Sequence, residues 1–318
     1  MTWRWGILGT GNIARSMAEA LRLVPGAVSL AVGSRNPKTA QAFAETWELP
    51  RHYGCYEDLL ADDDVDIVFI ATPNSAHHDN IMAVLRAGKH VLCEKPLCAS
   101  AELARACAAE ARGLGLFLME AMWTRFIPAV RQAVNRARSG EIGDISLLKA
   151  DFCAIRKPSD WPNLFDADLG GGALLDLGVY PLALARDILG QHDSVAGKIG
   201  TCASGVDDMA AIVLSYSTGA IAKLRCGFRE DLPRNATIIG STGRIVLPEP
   251  FHCARKLLVE SVDGIPHEVI DRPPTGAGYA HELIEVQSCL DKGMIECPSM
   301  PLADSIGVLD TIDRLKNT

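Results

Sequence analysis

The chain has 318 residues, 48% of them apolar, enough to bury a large core and to form two domains. Its 31 basic and 39 acidic residues give a formal charge of −8, which argues against nucleic acid as a partner because phosphate contacts need a basic surface. No apolar run approaches the ~20 residues that span a membrane, which argues against a membrane partner. A strand and turn fill residues 3–14, so no signal peptide is expected and the chain reads as cytoplasmic. Ten cysteines occur without any C-x-x-C pair, which predicts reduced, mostly buried thiols and no metal centre.

In chain order, Trp3 to Leu8 reads as a strand that stops at Gly9-Thr10-Gly11-Asn12-Ile13-Ala14 and continues as a helix to Val24. Two glycines at the end of a strand let the backbone turn tightly and approach a pyrophosphate, and the helix that follows offers unpaired N–H groups to that anion. Gly9, Gly11, Asn12 and Ile13 are therefore candidate cofactor contacts, with Ala14 as the small residue that packs helix on strand. Further strands are predicted at Val28 to Gly33, Asp66 to Thr72, His90 to Glu94 and Leu116 to Glu120. Helices are predicted at Pro37 to Trp47, His78 to Ala87 and Ala101 to Arg112, with Gly88 and Gly113 as stop signals. This alternation is the pattern of a doubly wound parallel sheet, with its ligand crevice at the carboxyl ends of the strands.

The second strand ends in Ser34-Arg35, followed by Lys38, where an NAD-binding chain carries an Asp or Glu for the ribose 2′-hydroxyl. A hydroxyl, a guanidinium and an ammonium suit a 2′-phosphate, which predicts NADP(H) over NAD(H). Cys93-Glu94-Lys95-Pro96 closes the strand from His90, a charged pair directly after a buried strand at the expected crevice. A cis bond at Lys95–Pro96 would aim the lysine inward.

After about Trp123 the rhythm changes. Extended runs follow at Ile145 to Ile155, Met209 to Tyr216, Ala220 to Phe228, Ala236 to Ile239, Arg244 to Leu247, Lys256 to Val259 and His267 to Ile270. Turn signals at Ser217-Thr218-Gly219 and Ser241-Thr242-Gly243 predict a largely antiparallel sheet. Helices near Pro128 to Arg138, Ala173 to Leu189, Tyr279 to Lys292 and Leu302 to Arg314 would cover one face of it. The expected domains are a dinucleotide-binding domain over 1–122 and an α+β substrate and oligomerisation domain over 123–318. Within the stretch that opens at Gly170-Gly171-Gly172, Asp176 and Tyr180 are four residues apart and share a helix face, while Pro181 is expected to kink that helix.

Taken together, the G-x-G-x-x-A start, Ala71-Thr72-Pro73-Asn74 with His77, Glu94-Lys95-Pro96, Glu120-Ala121-Met122-Trp123-Thr124-Arg125-Phe126 and Gly172-Ala173-Leu174-Leu175-Asp176-Leu177-Gly178-Val179-Tyr180 resemble the glucose–fructose oxidoreductase/inositol dehydrogenase (Gfo/Idh/MocA) family. The Trp-Thr-Arg-Phe and Asp-Leu-Gly-Val-Tyr segments look more like its dimeric dihydrodiol dehydrogenase and NADP-dependent xylose dehydrogenase branch than its inositol branch, which has His where this chain has Tyr180. The resemblance continues through Ile239-Gly240-Ser241-Thr242-Gly243-Arg244-Ile245 and the tail near Pro298 to Pro301.

The resemblance implies an N-terminal Rossmann domain and a hydride exchanged between the nicotinamide and a sugar, polyol or vicinal diol. It places Lys95 and Tyr180 around the nicotinamide, with Tyr180 exchanging the substrate proton and Asp176 orienting Lys95 or a substrate hydroxyl. A phenol of pKa about 10 is a weak base near neutrality, and a nearby ammonium lowers that value. Thr72, Pro73, Asn74, His77 and Glu94 join the candidate cofactor contacts; Trp123, Arg156 and Trp161 are weaker candidates for the substrate. Relatives often carry Arg before the Leu-Phe-Asp of that last loop, where this chain has Asn163. A homo-oligomer formed through the C-terminal sheet is implied as well. Two other readings stay open: a nicotinamide-dependent glycosidase that uses the redox step transiently, and a cofactor-sensing regulator without turnover.

Overall fold

The computed structural model describes residues 1–317 and divides into two compact units, the first formed by Met1–Trp123 with Thr275–Ser305 and the second by Thr124–Pro274 with the segment from Ile306. In the first unit the strands β1 (Trp3–Leu8), β2 (Ala27–Gly33), β3 (Arg51–Tyr53), β4 (Ile67–Ile70), β5 (His90–Glu94) and β6 (Leu118–Ala121) alternate with α1 (Asn12–Leu21), α2 (Pro37–Trp47), α3 (Tyr56–Leu60), α4 (His77–Arg86) and α5 (Ala101–Leu114). All strand pairs are parallel, in the order β3-β2-β1-β4-β5-β6. The order reverses between β1 and β4, and a crevice opens at such a switch point beyond the carboxyl ends of the strands. Every residue of β4, Ile67-Val68-Phe69-Ile70, is buried, because parallel strands are covered on both faces.

Two local expectations change. Helix α5 runs through Gly113 to Leu114, and the left-handed cap is Gly115 at φ 68°. The short elements β3 and α3 carry too few residues to show a period and were not predicted.

The later segment contributes α8 (Ala280–Asp291) to this unit, held against β1 by two indoles. Trp3 Nε1 donates to Asp291 Oδ1 at 3.0 Å, and the Gln287 amide, oriented to satisfy both partners, accepts from Trp5 Nε1 at 3.2 Å and donates to the Pro25 carbonyl at 3.0 Å. Trp5 is fully buried, so an unpaired indole N–H there would be costly.

The second unit is an eight-stranded sheet of β7 (Ile145–Cys153), β8 (Ser194–Thr201), β9 (Asp207–Ser215), β10 (Ile221–Gly227), β11 (Ala236–Gly240), β12 (Arg244–Leu247), β13 (Lys256–Glu260) and β14 (Pro266–Asp271), in the order β14-β13-β12-β11-β7-β10-β9-β8. Only the β7–β10 pair is parallel. The edge strand β8, Ser-Val-Ala-Gly-Lys-Ile-Gly-Thr, was not predicted; none of its side chains is buried, so it carries no core-facing alternation. Helices α6 (Pro128–Arg138) and α7 (Val179–Leu189) belong to this unit, as does the part of α9 (Leu302–Lys316) from Ile306 on. The helix expected over Ala173 to Leu189 is two pieces: a π-helical turn at Leu174–Gly178 and then α7. Pro181 is the third residue of α7, directly after the π-helical turn, and the backbone at Gly178 between the two pieces is right-handed helical.

Candidate active site

Gly9 follows β1 at φ 105°, its N–H donates to the Gly33 carbonyl at 2.9 Å, and a Cβ there would stand 2.6 Å from the Ala71 carbonyl oxygen. Glycine is required at this position by the protein itself. Gly11 differs. It has extended geometry, caps α1 without a side-chain hydrogen bond, and a Cβ on it would meet no protein atom within 4 Å. The fold does not need glycine there, but a ligand approaching the first-turn amides of Asn12 and Ile13 does. Gly11 and Asn12 are exposed, Ile13 is half-buried, and Ala14 is fully buried in the packing role expected of it. This uncapped helix start, with its room for a close backbone approach, fits a dinucleotide's pyrophosphate.

At the tip of β2 the Ser34 side chain is buried and its hydroxyl is already engaged, 2.8 Å from Thr39 Oγ1 and accepting from the Asn36 N–H at 3.3 Å. Arg35 and Lys38 are exposed. Asn36 caps α2 by accepting from the Lys38 N–H at 3.0 Å, with Pro37 at the first helical position. Tyr56, on α3, is a residue that sequence reasoning missed: its phenol is pushed up by burial, and the adjacent Arg35 guanidinium opposes that shift. The rim beyond β2 is therefore cationic and carries no carboxylate from Ser34 through Lys38.

At the end of β5, Glu94 is buried and Lys95 half-buried, and the Lys95–Pro96 bond is cis. The turn is held by carboxylates: the Lys95 N–H donates to Glu94 Oε2 at 3.2 Å and the Leu97 N–H to Glu120 Oε1 at 3.0 Å. His77 lies fully enclosed, with Nδ1 2.7 Å from the Pro96 carbonyl and Nε2 2.9 Å from the Thr72 carbonyl. Burial pushes its imidazole down although both carbonyls favour the charged form. His77 thus braces the loop after β4 against the loop after β5, while Thr72, Pro73 and Asn74 remain half-buried beside it. Asn80 Nδ2 donates to Thr72 Oγ1 at 2.9 Å.

Two residues of the later segment join this unit's contacts. Tyr279 stacks on Trp123 with ring centroids 4.5 Å apart, so one face of the indole expected to meet a sugar is taken by protein. Glu282 was not foreseen. It is fully buried on α8, neither carboxyl oxygen has a hydrogen-bond partner, and burial reinforced by the Glu94 carboxylate pushes its proton affinity well above the ordinary carboxylate range.

In the second unit the glycine triplet has a steric explanation. A Cβ on Gly171 would lie 2.6 Å from the Leu164 carbonyl oxygen, and one on Gly172, at φ 121°, 2.4 Å from Asp207 Oδ1. Asp207, at the start of β9, accepts from the Leu174 N–H at 2.6 Å, and this bond anchors the π-helical turn that bears Asp176. Tyr180 follows in the first turn of α7, 7% exposed, against Phe152 and His252 at ring-centroid distances of 5.1 and 5.4 Å. Phe152 and His252 stack on each other at 4.4 Å, and the Thr124 hydroxyl donates to the His252 carbonyl at 2.9 Å. This aromatic wall around the phenol was missed because it comes from β7 and from a turn at Phe251–Cys253, far apart in sequence. Asp176 is half-buried. The structure pairs Arg156 with Trp161, the guanidinium carbon 4.8 Å from the ring centroid. Lys95 lies in the first unit; Asp176 and Tyr180 lie in the second.

The family of oxidoreductases with an NAD-binding Rossmann fold (Gfo/Idh/MocA) matches residues 3–122, and the GFO/IDH/MocA C-terminal domain matches residues 130–246. Trans-1,2-dihydrobenzene-1,2-diol dehydrogenases of Homo sapiens and Bos taurus are 33% and 32% identical to the chain, over 99% of its length and 96% of theirs. A 3-ketoreductase from Actinomadura kijaniata, solved in complex with NADP and TDP-benzene, is 30% identical, has a TM-score of 0.89, and is matched over 100% of this chain and 98% of that one. A levoglucosan dehydrogenase solved with NADH and levoglucosan, 21% identical with a TM-score of 0.90 and matched over 100% and 97% of the two chains, shares the fold. Among the described residues no helix is long and apolar enough to cross a membrane. A parallel nucleotide-binding sheet, a mostly antiparallel second sheet and full-length relatives agree: the chain belongs to the Gfo/Idh/MocA oxidoreductase family, as an NAD(P)-dependent dehydrogenase acting on CH–OH groups.

Proposed function

We propose that the enzyme moves a hydride between NADP(H) and a secondary alcohol of a sugar, polyol or vicinal diol, with Tyr180 exchanging the hydroxyl proton. The observation that carries this reading is Tyr180 itself, a nearly buried phenol held by Phe152 and His252 directly after the π-helical turn of Asp176. Such turns are frequent at functional sites. When bound, the nicotinamide supplies the hydride acceptor or donor. In oxidation the Tyr180 phenolate takes the alcohol's O–H proton as the carbonyl forms; in reduction the phenol returns a proton to the carbonyl oxygen. The Lys95 ammonium favours the phenolate electrostatically, and Asp176 orients Lys95 or a second substrate hydroxyl.

Gly11, Asn12 and Ile13 hold the pyrophosphate, with Thr72, Pro73, Asn74 and Glu94 lining the path to the nicotinamide. His77, enclosed between two carbonyls, supports that path from behind. Ser34, Arg35 and Lys38 favour a 2′-phosphate, in the bidentate manner open to a guanidinium. The complex of the related ketoreductase with NADP supports that preference, and the similarity to diol dehydrogenases supports a small polar alcohol as substrate. A homo-oligomer formed through the second sheet is part of this reading: Val213 and Ile221, on its paired strands β9 and β10, are 39% and 36% exposed.

The test follows reduced-nicotinamide absorbance with each cofactor across aldoses, polyols and dihydrodiols. Turnover with NADP⁺ is expected, at a kcat/KM at least about tenfold above that with NAD⁺, the equivalent of one charge-assisted hydrogen bond. Tyr180→Phe should lower kcat about 10²- to 10⁴-fold with the cofactor Kd unchanged. Release of an aglycone without net reduced cofactor would replace this reading with transient-redox glycosidase chemistry. Full activity in Tyr180→Phe would remove the assigned proton path.

A further inference from the structure

A second cluster of reactive side chains lies on α8 and the segment after it. Glu285, Cys289 and Cys297 each offer a donor atom, and the three atoms all lie within 4.8 Å of one another. Glu285 and Cys289 are four residues apart on one helix and so share a face. Cys297 comes from the segment leading to α9, where the Met300 N–H donates to the Cys297 carbonyl at 3.1 Å and an isolated bridge joins the same two residues. Both thiols are buried, at 2% and 0% exposure.

We infer that Glu285, Cys289 and Cys297 form a site for a thiophilic divalent cation of the zinc class, which clamps the segment before α9 onto α8. Zinc takes thiolate and carboxylate donors at roughly 2.3 and 2.1 Å in a tetrahedral arrangement, which sets sulfur–sulfur separations of roughly 3.8 Å. Small side-chain rotations bring donors at the observed spacing to those positions. The surroundings are built as outer shells of metal sites are. Ser299 Oγ donates to Glu285 Oε1 at 3.1 Å, which orients the carboxylate.

The other close thiol pair, Cys98 and Cys107 at 3.8 Å, has no carboxylate or imidazole completing such a group among the described residues. The segment being clamped also supports the first sheet: the Ile295 carbonyl accepts from the Leu118 N–H of β6 at 3.3 Å. The fourth tetrahedral position falls to water, since Glu285 is half-buried and no further protein donor joins the group among the described residues.

The experiment titrates cobalt(II) chloride into the full-length protein after reduction and removal of chelator. About one equivalent should bind, with thiolate-to-cobalt charge-transfer absorption and the visible bands of a tetrahedral ion. Zinc chloride should abolish that spectrum and raise Tm. Cys289→Ser and Cys297→Ser should each lose the charge-transfer band, Cys98→Ser should keep it, and Ser299→Ala should weaken zinc about 10- to 100-fold. Three outcomes overturn the site: no charge-transfer band in the native chain, a band that survives Cys297→Ser, or a Cys289–Cys297 disulfide without metal in protein never exposed to chelator.

Discussion

Gly172 and Asp207 offer a measurement of how the segment bearing Asp176 and Tyr180 is held. Gly172→Ala puts a Cβ on a residue at φ 121°, a region that costs a side chain about 1–3 kcal/mol. The new carbon would also stand 2.4 Å from Asp207 Oδ1, so the carboxylate must move. Movement breaks the 2.6 Å bond from the Leu174 N–H, a charge-assisted buried bond of about 1.5–3 kcal/mol. The sum is about 4 kcal/mol, or roughly 8–16 °C in Tm for a unit of this size. In an Asp207→Ala background the bond is already gone and the space is open, so the same glycine change should cost only the backbone share, about 2 kcal/mol. The double-mutant cycle, read by urea and thermal unfolding, should therefore be non-additive by about 2 kcal/mol. Additive losses would refute the proposed grip of Asp207 on the π-helical turn. kcat should fall in both single variants, since a misplacement of about 1 Å can cost about 10²-fold.

The two glycines of the nucleotide turn should separate cleanly. Gly9→Ala lowers Tm, because its Cβ meets the Ala71 carbonyl, whereas Gly11→Ala leaves Tm unchanged and raises the cofactor Kd at least about tenfold; a stable Gly9→Ala protein or an unaltered Kd in Gly11→Ala would contradict this assignment. Glu282 predicts a pH effect of defined sign. Its proton affinity is raised in the folded chain, so stability is full below the unfolded carboxylate pKa and is lost as pH rises toward the folded value. The difference in unfolding free energy between Glu282→Gln and the native chain should then grow with pH in favour of the variant, by up to about 1.4 kcal/mol per unit. Parallel pH profiles would show the carboxyl to be ionised or solvated in the fold. His77→Phe should lower Tm and raise the cofactor Kd together, since it releases Thr72 and Pro96 at once; a change in neither would show that the brace is not needed.

The first unit was legible in sequence because its signals are local. Parallel strands buried on both faces read as apolar runs, and the strand-turn-helix glycines announce the phosphate turn within a dozen residues. Lys95 stood out as a charge at the end of a buried strand. What stayed hidden was set by contacts between distant segments. Asp207 reads as one of many acidic residues until Gly172 is seen to leave room for its carboxylate. Glu282 occupies a buried helix position that sequence patterns assign to apolar side chains. The stacking of Trp123 on Tyr279, and of Phe152 on His252, joins residues without common periodicity. Strand β8 was invisible because none of its residues is buried, so it shows no core-facing pattern.

The first unit is discontinuous, and this has a consequence for the order of events during synthesis. Ribosomes release the parallel sheet first, yet the partner that pairs the Trp5 indole, Gln287, lies beyond Thr124–Pro274, the larger segment of the second unit. Until that helix emerges, the nascent sheet carries an indole N–H without its native partner and an uncovered apolar patch around it. Completion of the nucleotide-binding unit is thereby deferred until the larger segment of the second unit has been made, so truncated chains ending before Thr275 should be poor binders of dinucleotide and ready clients for chaperones.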